Sequence, residues 1–427
     1  MGIFMKKKII YAIIAVIVVV IAVVGVLYFY LIPAGEKYPT IKVGVITDLT
    51  GPFAEGGIRN KLISEAYVKK INEEGGIHIA EYNRKLPVEL VIVNYEGVAE
   101  RALELAPKLI DESKVLAIIC DMSPAEALPV AYYCEKREMI CFVLGPLEMF
   151  LQNAPSGGWK YSWDIFPAIA DLGKLDVLYA KRFEKDLGQI VVGMLLRDDA
   201  DGRVVANVNI PIFEKAGFKV VFPGLFPPGT EDFFPIISKF KEEGVNVLFA
   251  NCFITEFATF WRQCHMVGWK PAIAYGGRYI GRGPPDAKVI GEDIAEGISA
   301  TTWWWWNWPF PGNDWIRETW PKITNLPPSV SIGHRVSVLM VVLNAIERAG
   351  KLDVKSINQA LATTDVMVPI GRVRMEPNHT ARTPCIMAQL QRRDGEWDFV
   401  PVLVPDPAFG IPEQPAIFPL PGYTPTR

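Results

Sequence analysis

The residues that could do chemistry are few and scattered. Ser123 stands before Pro124 at the end of an apolar run. A serine hydroxyl attacks only when a base activates it, and no histidine is placed by sequence to do so; Ser before Pro at a helix start is a capping arrangement. Asp198, Asp199 and Asp201 cluster as a cation site would, but the same cluster suits a polar loop after a strand. Six cysteines (Cys120, Cys134, Cys141, Cys252, Cys264, Cys385) and four histidines (His78, His265, His334, His379) contain no CxxC pair and no Cys/His cluster, so no zinc site is expected. The Walker, dinucleotide-binding, nucleophile-elbow and HExxH patterns are absent. A binding protein without cofactor, rather than an enzyme, fits this inventory.

The elements that must position these residues alternate between strand and helix. Strands are expected at Ile41–Thr47, Val88–Asn94, Val115–Cys120 and Met139–Leu144, with helices at Ile58–Glu74, Val98–Glu112 and Pro124–Arg137 between them. The plan repeats with strands at Ile190–Leu196, Phe218–Phe222, Val245–Ala250 and Ala272–Tyr275. Helices are expected there at Gly202–Ala216, Asp232–Glu243 and Ile254–Val267. Gly217, Gly244 and Gly268 each stand between a helix and the next strand, where a left-handed residue ends a helix. Such alternation implies parallel sheets covered on both faces, and two blocks imply two doubly wound α/β lobes facing a cleft.

The chain has 427 residues, 44 Lys+Arg and 47 Asp+Glu. At about 150 residues per domain this suggests two or three domains. Lys6, Lys7 and Lys8 precede an uncharged run from Ile9 to Gly35, so the rest of the chain is more acidic than the total of −3 implies. An acidic body argues against nucleic acid as a partner. The uncharged run is long enough for one N-terminal transmembrane helix, with the lysines cytoplasmic and Tyr28, Phe29 and Tyr30 at an interface. It lacks an A-x-A cleavage site and a lipid-accepting cysteine, although a long cleaved export signal is the alternative. Either way residues 1–36 lie outside the fold and the body is exported. Disulfides are then permitted. Cys120 and Cys141 are expected as buried thiols, and Cys252 with Cys264 is a candidate local bridge. Asn378-His379-Thr380 fits the N-glycosylation pattern.

Five segments carry a family resemblance. IKVGVITDLTGPFAEGG resembles the opening of the type I periplasmic solute-binding proteins, the leucine/isoleucine/valine-binding family. INEEGGI, PPGTEDFFPIISKFKEEGVNVLFA, FATFWRQCHMVGWKP and LMVVLNAIERAGKLDVKSINQALATTDVMVPIGRVRM resemble later family segments in the family's order. The resemblance implies two lobes joined by three crossings, near Trp163–Pro167, Ser299–Trp304 and Arg374–Pro377. Lobe one would comprise residues 40–163 and 303–374, and lobe two residues 164–302 and 375–427. The implied partners are a small solute and the permease and ATPase subunits of an importer.

The same resemblance nominates ligand-binding residues. Phe53 matches an aromatic cleft position, and Ser123 lies where the family holds a carboxylate. Glu148 falls where a Ser/Thr is usual, and a carboxylate there would repel another. Asp201 precedes Gly202 where Tyr is frequent, and Phe253 falls near a second aromatic position. Tyr275 and Arg278 occupy the loop in which the family often places an acidic ammonium binder. His334-Arg335 replaces the usual Tyr-Asp at the start of a late helix. The amino-acid signature is thus eroded on both sides. Seven of the twelve tryptophans lie between Trp303 and Trp320. Two readings stand open for them: packing at a crossing strand, or an aromatic wall suited to an apolar, aromatic or cationic solute. The Pro-rich segment after residue 400 is expected to wrap lobe two in extended form.

Overall fold

A computed structural model describes residues 38–51, 53–277, 283–305 and 307–423. The expected N-terminal membrane helix, Arg278 and Trp306 lie outside these residues.

The first strand, β1 (Ile41–Thr47), is apolar and β-branched and is buried along almost its whole length. It runs into α1 (Ala54–Glu73), after which a short hairpin (Ile77–Ile79 with Arg84–Leu86) leads to β2 (Val88–Asn94). Then follow α2 (Ala99–Pro107), β3 (Ala117–Asp121), α3 (Pro124–Lys136), β4 (Ile140–Val143), α4 (Leu147–Gln152) and β5 (Ser162–Ile165). These strands form one parallel sheet in the order β5-β4-β3-β1-β2.

The second block contains α5 (Ile169–Lys181), β6 (Val191–Arg197), α6 (Ala200–Lys215), β7 (Lys219–Val221) and β8 (Leu225–Phe226). It continues with α7 (Phe234–Glu242), β9 (Val247–Asn251), α8 (Ile254–Met266), β10 (Ile273–Gly276), α9 (Pro285–Ile290) and β11 (Ser299–Thr302). The chain then returns to the first block through α10 (Asn313–Ile323), α11 (Val330–Ala349) and α12 (Val354–Ala362). A last passage adds β12 (Thr380–Ala381), β13 (Ile386–Arg393) and β14 (Glu396–Leu403). The second sheet has the order β8-β6-β9-β10-β11-β13-β14, with β7 also on β6; it is parallel up to β11 and antiparallel beyond.

Burial explains the layers. Along β9 every residue is buried, and alternate side chains enter opposite cores: Leu248 and Ala250 join Trp261 and Phe260, whereas Val247 and Phe249 join Met194 and Phe213. That is the period-two alternation of a strand covered on both faces. Helix α11 is long and apolar enough to cross a bilayer, but 72% of its apolar window is buried inside the fold, and it packs on α1 and α12 as a core helix.

Two expectations change at this level, the third passage and the Cys252–Cys264 bridge. β12 still pairs with β5 of the first sheet, so the third passage between sheets comes after Ala381, not at Arg374–Pro377. The first passage follows Ile165, the end of β5, within the expected Trp163–Pro167. No disulfide joins Cys252 to Cys264: all six cysteines are buried thiols, and burial pushes the Cys264 thiol well up. The tail lies on the second sheet's side of the molecule: Leu420 N–H donates to the Ala272 carbonyl at 2.9 Å, Phe418 stacks on Phe183 at 3.9 Å, and Arg182 pairs with Glu413 at 2.8 Å.

Candidate functional site

A cavity of about 350 Å³ opens at the carboxyl ends of strands from both sheets, the position at which doubly wound folds bind ligands. The first sheet contributes the turns after β1, β3 and β4, and the second contributes those after β9, β10 and β11.

The turn after β1 is built by Asp48. Its carboxylate accepts from the backbone N–H of Thr50, Gly51 and Phe53 at 3.1, 2.6 and 2.8 Å, which fixes the loop and presents the Phe53 ring. Gly57 is required one turn later, because a Cβ there would lie 1.8 Å from the Asp48 carbonyl oxygen. Across the cavity Phe253 faces Phe53 with ring centroids 6.1 Å apart. Phe253 is itself held by Arg197, whose guanidinium lies 4.5 Å from the ring centroid and pairs with Asp199 and Glu256.

The first-sheet wall carries a polar network in which the charges are paired but Asn60 Oδ1 and Arg335 Nε and Nη1 lack a partner. Asp121, at the end of β3, accepts from Thr47 Oγ1 at 3.0 Å and from Asn60 Nδ2 at 2.9 Å, and it pairs with Arg335 from α11. Both side chains of that ion pair are nearly buried, at 7% and 12% exposure. Burial pulls the Arg335 guanidinium down while the adjacent Asp121 charge opposes it. Nearby, Asp164 is fully buried; burial pushes its carboxyl well up against the pull of Arg335. Arg59, also on this wall, pairs with Glu55 at 2.6 Å.

The second-sheet wall is different. Asp176 on α5 lines the cavity, is 2% exposed, and makes no side-chain hydrogen bond or ion pair among the described residues. Burial alone pushes its carboxyl well above the ordinary range. Asn209 and Asn251 stand on the same wall, each with a buried side-chain oxygen lacking a partner. Phe249 and Trp303 complete it, with Trp303 lying 4.7 Å from the Phe166 ring.

The nominated residues fall into three groups. Phe53, Ser123, Asp201 and Phe253 all line this cavity. Ser123 is the residue before α3, and its backbone N–H donates to Glu126 at 3.1 Å. Asp201 lies in the first turn of α6, which begins two residues earlier than expected because Asp199 caps it by accepting from Gly202 N–H at 2.9 Å. Glu148 and Tyr275 do not line the cavity. Glu148 turns to the start of α5, where its carboxylate accepts from the N–H of Ile169 and Ala170 at 2.7 and 2.9 Å. Tyr275 points into the second sheet's core between Phe249 and Tyr179, fully buried, and its hydroxyl donates to the Asp176 carbonyl at 3.4 Å. Arg278 lies outside the described residues.

His334 enters the cavity that holds Ser123, which its sequence distance concealed. It is not poised as a base: its Nε2 lies 2.6 Å from the Ile165 carbonyl oxygen, and burial lowers its pKa to about 3. Among the described residues no group of three or more His, Cys, Asp or Glu side chains is arranged to hold a metal ion. The tryptophan cluster divides between its two readings. Trp304, Trp305, Trp308 and Trp320 are buried packing residues; Trp304 donates to Asn313 at 2.8 Å and lies so close to Gly333 that a Cβ there would meet the indole at 2.1 Å. Of the described tryptophans, Trp303 alone lines the cavity.

The periplasmic binding protein family model matches residues 40–396. The chain belongs to that family. The Leu/Ile/Val-binding protein homolog 7 of Brucella suis is 24% identical over 340 residues, covering 76% of this chain and 82% of the relative. The leucine-binding protein LivK of Thermotoga maritima superposes with a TM-score of 0.70 at 22% identity, over 86% of this chain and 99% of that one. A branched-chain amino acid transporter binding protein of Streptococcus pneumoniae, solved with isoleucine, gives 0.69 at 17% identity, over 85% and 100%. A solute-binding protein of Rhodopseudomonas palustris, solved with 3,4-dihydroxybenzoic acid, gives 0.68 at 19% identity, over 86% and 99%.

Proposed function

We propose that the protein is the extracytoplasmic solute receptor of an ATP-driven importer. It traps a small amino acid-like, amide or aromatic solute between two lobes and delivers it to separate permease and ATPase subunits. One lobe is built on the first sheet (residues 40–163 and 303–374, extended to β12) and the other on the second. The observation that carries this reading is the cavity between the two sets of strand ends, gated by Phe53 from one and Phe253 from the other. A solute touching both walls favours the closed arrangement by its differential affinity. The binding roles are assigned to Phe53, Ser123, Asp201 and Phe253; Glu148 and Tyr275 are withdrawn from them. The uncharged run in residues 9–35 is assigned to membrane anchoring.

A ligand-sensing receptor that works through a separate signalling partner is the alternative. The site does not favour an enzyme, since His334 is held on a backbone carbonyl. Thermal-shift screening of the full-length protein against amino acids, amides and aromatic acids tests the receptor reading. A bound solute raises the unfolding midpoint as RT ln(1 + [L]/Kd) requires. A compound that is chemically converted during the assay would instead establish an enzyme, and a panel without any shift would count against a solute receptor of this class.

A further inference from the structure

The sequence holds one Asn-x-Ser/Thr triplet, Asn378-His379-Thr380, and solute binding leaves it unused. It lies in the turn that carries the chain from the strand Gly371–Arg374 to β12. Two backbone bonds close that turn. His379 N–H donates to the Glu376 carbonyl at 2.9 Å, and Glu376 N–H donates to the Thr380 carbonyl at 2.8 Å. His379 takes a left-handed φ of 66° at the corner, and its ring stacks on Trp163 of β5 at 3.7 Å. The turn thus sits on the edge of the first sheet, just before the third passage between the sheets.

The two functional groups of the triplet meet. Asn378 Oδ1 accepts from the Thr380 hydroxyl at 2.8 Å and from Thr380 N–H at 3.3 Å. The fold uses only this oxygen. An aspartate would serve the turn equally, since it presents the same acceptor. Asn378 Nδ2 has no acceptor among the described residues, and Asn378 is exposed together with Glu376 and Pro377. A substituent on that nitrogen therefore breaks no described contact of the fold. Asn378 also does not line the cavity, so a bulky group there leaves the cleft open.

We propose that Asn378 is an N-glycosylation site, modified by an oligosaccharyl transferase that draws its sugar chain from a polyprenyl phosphate carrier. In that transfer Asn378 Nδ2 bonds to the anomeric carbon of the sugar. The bond from that carbon to the phosphate oxygen breaks, the lipid phosphate leaves with the electron pair, and the amide proton passes to solvent. The periplasmic binding protein family is extracytoplasmic, and the exported side is where such an acceptor on a surface loop is modified. Thr380 is 1% exposed and pairs with Asp164 in the folded protein. A transferase that reads the threonine must reach it, so the sugar is added before β12 docks on β5. Folding then leaves the sugar on the surface beside the third passage.

The test uses the full-length protein purified from the organism that makes it. Trypsin, cutting after Arg374 and Arg382, releases the peptide Met375–Arg382 with the whole triplet in it. Mass spectrometry is expected to find this peptide carrying a sugar chain on Asn378, and the intact protein heavier than its sequence by the same increment. Asn378→Asp keeps the acceptor that the turn needs and is expected to lose the increment completely while its thermal midpoint stays that of a folded protein. Thr380→Ala, which keeps the nitrogen and removes the hydroxyl, is expected to lose the increment as well. A wild-type peptide of unmodified mass, or a sugar that persists in either variant, overturns the proposal. Either result leaves the receptor reading standing, because that reading is tested by solute binding.

Discussion

The two walls of the cleft differ in how their buried charge is paired. On the first-sheet wall Asp121, Arg335, Asn60 and Thr47 meet across four elements: the end of β3, the start of α11, α1 and the end of β1. The Arg335–Asp121 pair ties β3 to α11, while Asn60 Oδ1 and Arg335 Nε and Nη1 are left without a partner. On the second-sheet wall no described residue pairs with the buried Asp176 carboxyl, and the Asn209 and Asn251 amide oxygens are unsatisfied. The first wall has its charge paired and leaves donors over on Arg335, whereas the second has a buried carboxyl without a described cation and leaves acceptors over on Asn209 and Asn251. Groups left over on a cleft wall give specificity, because only a solute with the matching group relieves them.

The contrast is open to direct attack. The largest effect is expected from Arg335→Leu, which leaves Asp121 buried without its cation; chemical denaturation should show a loss of about 3–5 kcal/mol. A loss below about 1 kcal/mol would mean the first wall is not the structural one. Next, Glu148→Ala removes the carboxylate that caps α5 from the neighbouring block, and should cost about 0.5–2 kcal/mol with little change in solute affinity. A large loss of affinity would return Glu148 to the binding surface. A double-mutant cycle on Phe53→Ala and Phe253→Ala should then give a coupling of about 0.5–1.5 kcal/mol, measured as stability with saturating solute. No coupling would show that the two rings do not meet across the cleft.

The last effect runs the other way. The Asp176 carboxyl is raised in the folded protein by burial, whereas in the unfolded chain it titrates near its ordinary value of about 3.9. Above that value the unfolded state has lost its proton while the folded state keeps it. The group's contribution therefore favours folding at low pH and is lost as pH rises toward the folded pKa. Asp176→Asn lacks this loss, so its thermal midpoint should match wild type near pH 4 and move above it toward pH 8. A midpoint below wild type at pH 8 would give Asp176 a structural role and erase the difference between the walls.

Much of the fold was legible because its signals are local. Ser123-Pro124 starts a helix where expected, and short apolar runs such as Val247–Ala250 between turn signals mark buried strands. The third passage was misplaced because a two-residue strand, Thr380–Ala381, has no signature of its own; its pairing with Asp164 and Ile165 is entirely tertiary. The site was half legible. The loop after Gly51 located Phe53, but sequence position does not say which way a side chain turns, so Glu148 and Tyr275 were misassigned. Tyr275 is one residue out of phase with the cleft on a strand whose alternation sends it inward. Asp176 did leave a trace. Ile169, Gly173, Asp176 and Ala180 share one buried helical face, and a carboxylate at a core-spaced position is a signal that helical phase alone can reveal.

Intrinsic tryptophan fluorescence tests the central claim most directly, because Trp303 lines the cavity while Trp304, Trp305, Trp308 and Trp320 are packed away from it. Titrating the full-length protein with amino acids, amides and aromatic acids should give a saturable change in emission for the solute that binds. Trp303→Phe should remove it, and Trp304→Phe should leave it in place. A saturable response that survives Trp303→Phe, or no response to compounds that raise the thermal midpoint, would contradict binding in this cleft.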